Sequence, residues 1–358
     1  MFRRNARAAA SAAVCVAAVM LAVAGCKMDQ PAAAQGGAAQ GGGADTGSAA
    51  GVTADAGITR SGPLVIEPGA GFSPVYSLIN GARHSIDVTM YEFADTTAEH
   101  DLAKAAKRGV LVQVILDEKE KSVNSGAYSY FRDNGIKVVW SSSRFTYTHQ
   151  KTLVIDGSQA VIMTANLTSR YYSTSRDFLV IDTNHADVTA ITAVFNADFA
   201  HHAITPGEGA DLVWSPTDSQ DKLLGLINGA TSSLRIYSEE MGDTTVENAL
   251  IKAAKRGVDV QVCGENEDGE YDSAFAKLAR AGVHISYYRS STGFYIHGKV
   301  IEADYGTGHA KIFIGSENFS STSLNHNREL GLITSNSAVL SAMASTFKAD
   351  FSNGTHWT

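Results

Sequence analysis

Apolar residues along this chain come in short strand-like runs separated by stretches with helical spacing, and the whole series occurs twice. The runs HSIDVTMYEF (84–93) and SSLRIYSEEM (232–241) read as buried strands. Each leads into a segment with apolar residues three and four apart that stops at glycine, which predicts helices over 97–109 and 245–257. VLVQVIL and VDVQVCG predict the next strands, 127–135 and 272–282 a second helix, and 136–141 and 283–289 a third strand. The segments 149–156 and 297–304, then 177–182 and 329–334, complete each sheet, and closing helices follow near 185–202 and 337–350. This alternation predicts an α/β fold of two repeated halves, each a mixed β-sheet flanked by helices, over 61–210 and 211–358.

The repetition is literal. Leu78–Asp117 aligns without gaps on Leu226–Glu265 at a constant offset of 148, repeating LINGA, DTT and AAKRGV. A fused pair of this kind places a pseudo-two-fold axis inside one chain, so no homodimer is required to complete a site shared by the halves.

The same offset carries H-x-K-x-x-x-x-D, as His149, Lys151, Asp156 and again as His297, Lys299, Asp304. On a strand, residues two apart share a face, so each His and Lys points at one spot. A neutral imidazole can attack phosphorus and an imidazolium can protonate a leaving oxygen, while Lys offers a compact positive charge to phosphate oxygens. A lone H-x-K is usually incidental. Of the 11 histidines, however, only His149 and His297 coincide under the repeat alignment. Further on come Thr164, Asn166 and Asp177 in the first half and Ser316, Asn318 and Glu329 in the second, each asparagine eleven residues before its carboxylate, with Arg176 and Arg328 just ahead of the acids. Zinc is disfavoured, because Lys stands where a second ligand would be expected and repels a cation.

This pattern resembles the phospholipase D superfamily over roughly residues 65 to 350, through H-x-K-x(4)-D followed by G-[ST]-x-N and an acidic residue. The resemblance implies two phospholipase D-like halves and a two-step reaction without metal or cofactor. By that resemblance His149 would form a covalent phosphohistidine, and His297 would protonate the departing alcohol and then activate water or another alcohol. Asp177 and Glu329 are expected to hold each ring's distal N–H. Lys151, Lys299, Asn166 and Asn318 would hold the non-bridging oxygens, supported by Thr164 and Ser316. Asp156 and Asp304 belong to the catalytic motif but read as structural. Departures are small: Met163 replaces the usual Gly, Asp177 is shorter than Glu, and four extra residues around YGTGHAK lengthen a hairpin. Repeat-equivalent Glu92 and Glu240 read as partners of a nearby base, with pocket lining as the alternative, and Tyr147 and Tyr295 as wall or packing aromatics.

Residues 1–25 have a basic start, an apolar segment and small residues before Cys26, and Val23, Ala24, Gly25 and Cys26 resemble a bacterial lipobox. The expectation is a signal peptide over 1–25, lipidation of Cys26, and an Ala/Gly-rich tether over 26–60 reaching roughly 30 Å. The protein would then be an extracytoplasmic, membrane-anchored lipoprotein. Cys15 leaves with the signal, so only Cys263 remains, read as a buried apolar filler without a disulfide partner. Loss of Arg3, Arg4 and Arg7 takes the net charge from −8 to about −11, and such a chain lacks the basic footprint of non-specific nucleic-acid binding. Lys107 and Lys255 are explained as helix-terminal dipole complements. The leading expectation is phospholipid headgroup hydrolysis, such as phosphatidylcholine to phosphatidate, with transfer to an alcohol as an accompanying outcome. An extracytoplasmic endonuclease is the alternative, and a non-catalytic module is disfavoured because both motifs are complete.

Overall fold

The computed structural model describes residues 64–358, so the signal, Cys26 and the tether lie outside the described residues. Two eight-stranded sheets share a common order of seven strands, the eighth strand of the first being Tyr295–Ile296, which pairs beside Ser175–Asp182. In the first the order is Leu64–Glu67, Ser175–Asp182, Gln159–Met163, Lys151–Ile155, Ser85–Met90, Leu111–Leu116, Lys137–Trp140. The second runs Leu212–Ser215, Glu329–Thr334, Lys311–Gly315, Val300–Ala303, Ser233–Ser238, Asp259–Glu265, His284–Tyr288, with Thr355–His356 added at the edge. In each, three parallel strands continue into antiparallel ones, as expected of a mixed sheet.

The repeated tripeptides have physical jobs. In DTT the aspartates are N-caps: Asp95 accepts from the backbone N–H groups of Thr97 and Ala98, and Asp243 from those of Thr245 and Val246. The LINGA segments, not assigned from the sequence, close helices at Ser73–Gly81 and Ser219–Gly229. In AAKRG it is the arginine that does the capping. Arg108 donates to the carbonyls of Ile79, Asn80 and Ala82, and Arg256 to those of Ile227, Asn228 and Ala230. The basic cluster therefore complements the C-terminus of the neighbouring helix as well as its own. The expected helix 127–135 begins earlier, at Lys121, and its partner ends at Ala279.

One apolar cluster fills each half, and a third draws on both. That third cluster joins Phe178 and Ile162 to Trp214, Tyr237, Ile296 and Phe347, and it contains Cys263, which is fully buried. Two reciprocal ion pairs cross the same interface. Arg176 grips Asp350 on the closing helix of the second half at 2.7 Å, and Arg328 grips Asp198 on that of the first at 2.8 Å. The Asp350→Ala variant would leave the largely buried Arg176 charge without its carboxylate, and is expected to cost about 3 kcal/mol of stability, read as a lower urea midpoint.

Candidate active site

The strands of the two halves also hydrogen-bond to each other, at the entries to the motifs. Tyr295–Ile296 pairs in parallel with Ser175–Arg176, and Thr148 bridges to Arg328. His297 N–H donates to the Arg176 carbonyl and Gln150 N–H to the Arg328 carbonyl. Each motif histidine is thereby laid beside the carboxylate strand of the opposite half. From its own half, the residue preceding each histidine is caught by an acid at the end of a parallel strand. Asp117 accepts from Thr148 N–H at 2.5 Å, and its repeat-equivalent Glu265 from Ile296 N–H at 3.0 Å.

The consequence is an exchange of partners. His149 Nδ1 lies 2.8 Å from Glu329, and His297 Nδ1 lies 2.8 Å from Asp177. The sequence pointed to these acids as ring holders, and the structure adds that each serves the other half's histidine. With Nδ1–H donated to a carboxylate, Nε2 of each ring is the nitrogen left for chemistry. Glu329 is fully buried and also accepts from Ser323 and Asn327. Burial pushes its carboxyl up, but the His149 and Lys151 charges outweigh that and hold it below the usual range.

Both histidines sit just ahead of their strands, which start at Lys151 and Val300, instead of on them. The extended backbone still keeps His and Lys together, with each Lys Nζ donating to the carbonyl of its own motif His at 2.5 Å. Lys151 and Lys299 are completely buried. Burial drags the Lys151 pKa down to about 7, Glu329 opposing and Lys299 adding to the fall. Burial likewise lowers the His149 pKa, against Glu329 and with Lys151 and Lys299. That each group feels charges from the opposite half means the two kits share one space.

Other expected residues divide. Asn318 is buried with its side-chain oxygen unpartnered, and Asn166 accepts only from Glu92 N–H at 3.4 Å, so both amides remain available to a ligand. Thr164 and Ser316 were expected at the phosphate, and the structure corrects this. The Thr164 hydroxyl donates to Asp177 at 2.5 Å and accepts from Phe178 N–H, while the Ser316 hydroxyl accepts from Leu330 N–H. Both are buried braces for the carboxylate strands. Asp156 and Asp304 are likewise removed from the chemistry. At φ of 52° and 55° they turn the hairpins and collect the N–H groups of Arg83, His84 and Ser85, and of Thr231, Ser232 and Ser233. Burial raises the Asp304 carboxyl, but these bonds overcome it and bring the pKa down to about 2.

Glu92 and Glu240 form no ion pair among the described residues, which overturns the expected pairing with a base. Burial raises both, Glu240 to about 7. The tyrosines do line the site: Tyr295 tilts onto His297 at 5.4 Å between ring centres, and Tyr147 meets Tyr91 edge-on. Three residues escaped the sequence reading. Tyr91 packs edge-on to His149, Glu239 pairs with Lys299, and Glu317 lies fully buried with neither carboxyl oxygen bonded. Burial, with the Glu329 charge adding to it, pushes the Glu317 carboxyl well above the usual range.

A pH profile follows from these shifts. If His149 is the nucleophile, the acid limb of kcat/KM, which reports the free enzyme, should fall below the ordinary histidine range, because burial lowers its pKa. Lys151, whose charge is lost as pH rises through about 7, contributes to the alkaline limb. Arginine stays charged at all working pH, so Lys151→Arg should carry the alkaline limb upward even at a reduced rate. An unmoved limb would assign it to another group.

Two halves of one topology, placing two H-x-K pairs and two exchanged carboxylates at one buried site, define a phosphodiester-acting enzyme of the phospholipase D superfamily. A family model described as "Cardiolipin synthase, PLD-like domain" matches residues 75–200 and again 223–351, and the chain belongs to that family. It is 25% identical over 331 residues to "Cardiolipin synthase A" of Pseudomonas entomophila, covering 80% of this chain and 68% of that protein. In fold it is similar to a phosphatidylserine synthase of Haemophilus influenzae, with TM-score 0.63, 12% identity, and 82% and 86% of the two chains covered. A polyphosphate kinase from Porphyromonas gingivalis gives TM-score 0.64 at 17% identity, covering 82% of this chain and about half, 51%, of the kinase.

Proposed function

We propose that this protein exchanges the headgroup alcohol of a phospholipid through a phosphohistidine intermediate. The carrying observation is the pair of exchanged contacts, His149 to Glu329 and His297 to Asp177, which arms two Nε2 atoms at one site. His149 Nε2 attacks phosphorus while the bond to the headgroup oxygen breaks and that oxygen takes the proton from His297 Nε2. In the second step His297 removes a proton from the acceptor, whose oxygen bonds to phosphorus as the bond to His149 breaks. Lys151 and Lys299, with the amides of Asn166 and Asn318, would hold the phosphoryl oxygens. Water as acceptor gives hydrolysis, and an alcohol gives transfer.

A lipid substrate is supported by the relative named a cardiolipin synthase and by the chain's net charge of −8. The relative also favours transfer over simple hydrolysis. Acylation at Cys26 with a tether over 26–60 would hold the enzyme at a membrane surface, outside the cytoplasm. The reading is tested by giving the full chain in detergent micelles either phosphatidylcholine, phosphatidylglycerol or single-stranded DNA, with chelator present and with or without glycerol. Release of the headgroup alcohol, and a new lipid when glycerol is added, are expected. Cleavage of DNA alone would establish the nuclease instead, and loss of all activity to chelator would defeat the metal-free mechanism.

A further inference from the structure

The two halves differ at one repeat-equivalent position beside the reacting groups. In the first, Tyr91 lies edge-on to His149 at 4.5 Å between ring centres, with the Lys151 ammonium 4.9 Å from its own ring centre. In the second, the residue 148 positions on is Glu239. Its carboxylate lies 2.5 Å from Lys299 Nζ and 3.7 Å from His297 Nε2, and it accepts a hydrogen bond from the Tyr295 hydroxyl. His297 Nδ1 is occupied by Asp177, so Nε2 is the ring's reactive nitrogen. A carboxylate held between that atom and Lys299 stands where an oxygen of the substrate phosphate would bind. Its side chain is 16% exposed, which leaves little water to screen its charge. Burial pushes the carboxyl up, but Lys299 and His297 outweigh it and keep it ionised, below the usual range.

We propose that Glu239 is a specificity residue that occupies the second half's phosphate position and makes the site favour singly charged phosphodiesters over doubly charged phosphomonoesters and inorganic phosphate. The inference rests on the phosphodiester reading of the site, and not on which alcohol the diester carries. A diester displaces Glu239 from Lys299 with one negative charge. Inorganic phosphate and terminal monoesters carry up to two near neutral pH, and Coulomb repulsion grows with the product of the charges. A monoester formed by hydrolysis would therefore be expelled, while the diester is admitted. No covalent bond forms to Glu239, which only moves aside. The first half, with a neutral phenol at the same place, presents Lys151 without such a competitor.

The test is calorimetric titration of the full chain at pH 7.5 with inorganic phosphate and, separately, dimethyl phosphate. The variants are Glu239→Gln, which keeps the size and the acceptor for Tyr295, and Glu239→Tyr, which installs the first half's residue. Phosphate affinity should rise at least tenfold in each folded variant, and dimethyl phosphate affinity by several-fold less. No gain for phosphate, or equal gains for both anions, would overturn the proposal. Since binding heats need no turnover, a chain that shows this ranking yet cleaves no lipid would defeat the proposed substrate and leave this inference standing. A chain that cleaves lipid without the ranking would defeat this inference alone.

Discussion

The His149→Ala variant is expected to lose on the order of 10⁴-fold or more in kcat, because it removes the atom that bonds to phosphorus and nothing else in the site can replace it. His297→Ala should behave differently. With an ordinary alcohol as leaving group it loses a general acid, for about 10²–10⁴-fold in rate. With p-nitrophenol as leaving group no proton is needed, so a first equivalent should be released quickly. Turnover then stalls, since the base that activates the acceptor is also gone. A burst in His297→Ala and none in His149→Ala is the signature, measured by absorbance in rapid mixing. Equal, slow, burst-free kinetics in both would mean that the two rings do not divide the roles.

Glu329→Gln carries the second large effect. The amide can donate to Nδ1, which favours the tautomer with its proton on Nε2 and so disarms the nucleophile. A loss of about 10²–10⁴-fold is expected. Because Glu329 belongs to the second half and His149 to the first, the defect should match the burst-free behaviour of His149→Ala. Asp177→Asn, in the first half, should reproduce the burst and stall of His297→Ala. Steady-state and burst kinetics of the four single variants, with the double His149→Ala, Glu329→Gln, give the check. The double variant should be no worse than His149→Ala, since groups that act as a unit are not additive. Pairing within each half would give the opposite match.

The two halves and the succession of their main strands and helices were legible because duplication prints each feature twice at one offset. DTT and AAKRGV recur at that offset because a cap and a helix end are local devices that each half needs for itself. Partner exchange was not legible. It depends on Tyr295–Ile296 pairing with Ser175–Arg176, a contact between halves that no spacing within either one encodes. Comparison of repeats also discards whatever differs between copies, and so it passed over Glu239 opposite Tyr91 and Glu317 opposite Ala165. Thr164 and Ser316 were misplaced for a related reason. Their position in the motif implies nearness to phosphate, but their hydroxyls face inward to Asp177 and to Leu330 N–H. Burial of Lys151 likewise emerges only from packing, and with it the pKa near 7.

A single site shared by both halves would use His149 as nucleophile and His297 as acid and base. Its most direct test is to mix the His297→Ala chain with bis(p-nitrophenyl) phosphate, quench, and locate the phosphoryl adduct by mass spectrometry of peptides. An acid-labile adduct on His149, in about one equivalent and matching the burst, is the expected result. An adduct on another residue, or steady turnover with no adduct, would contradict it.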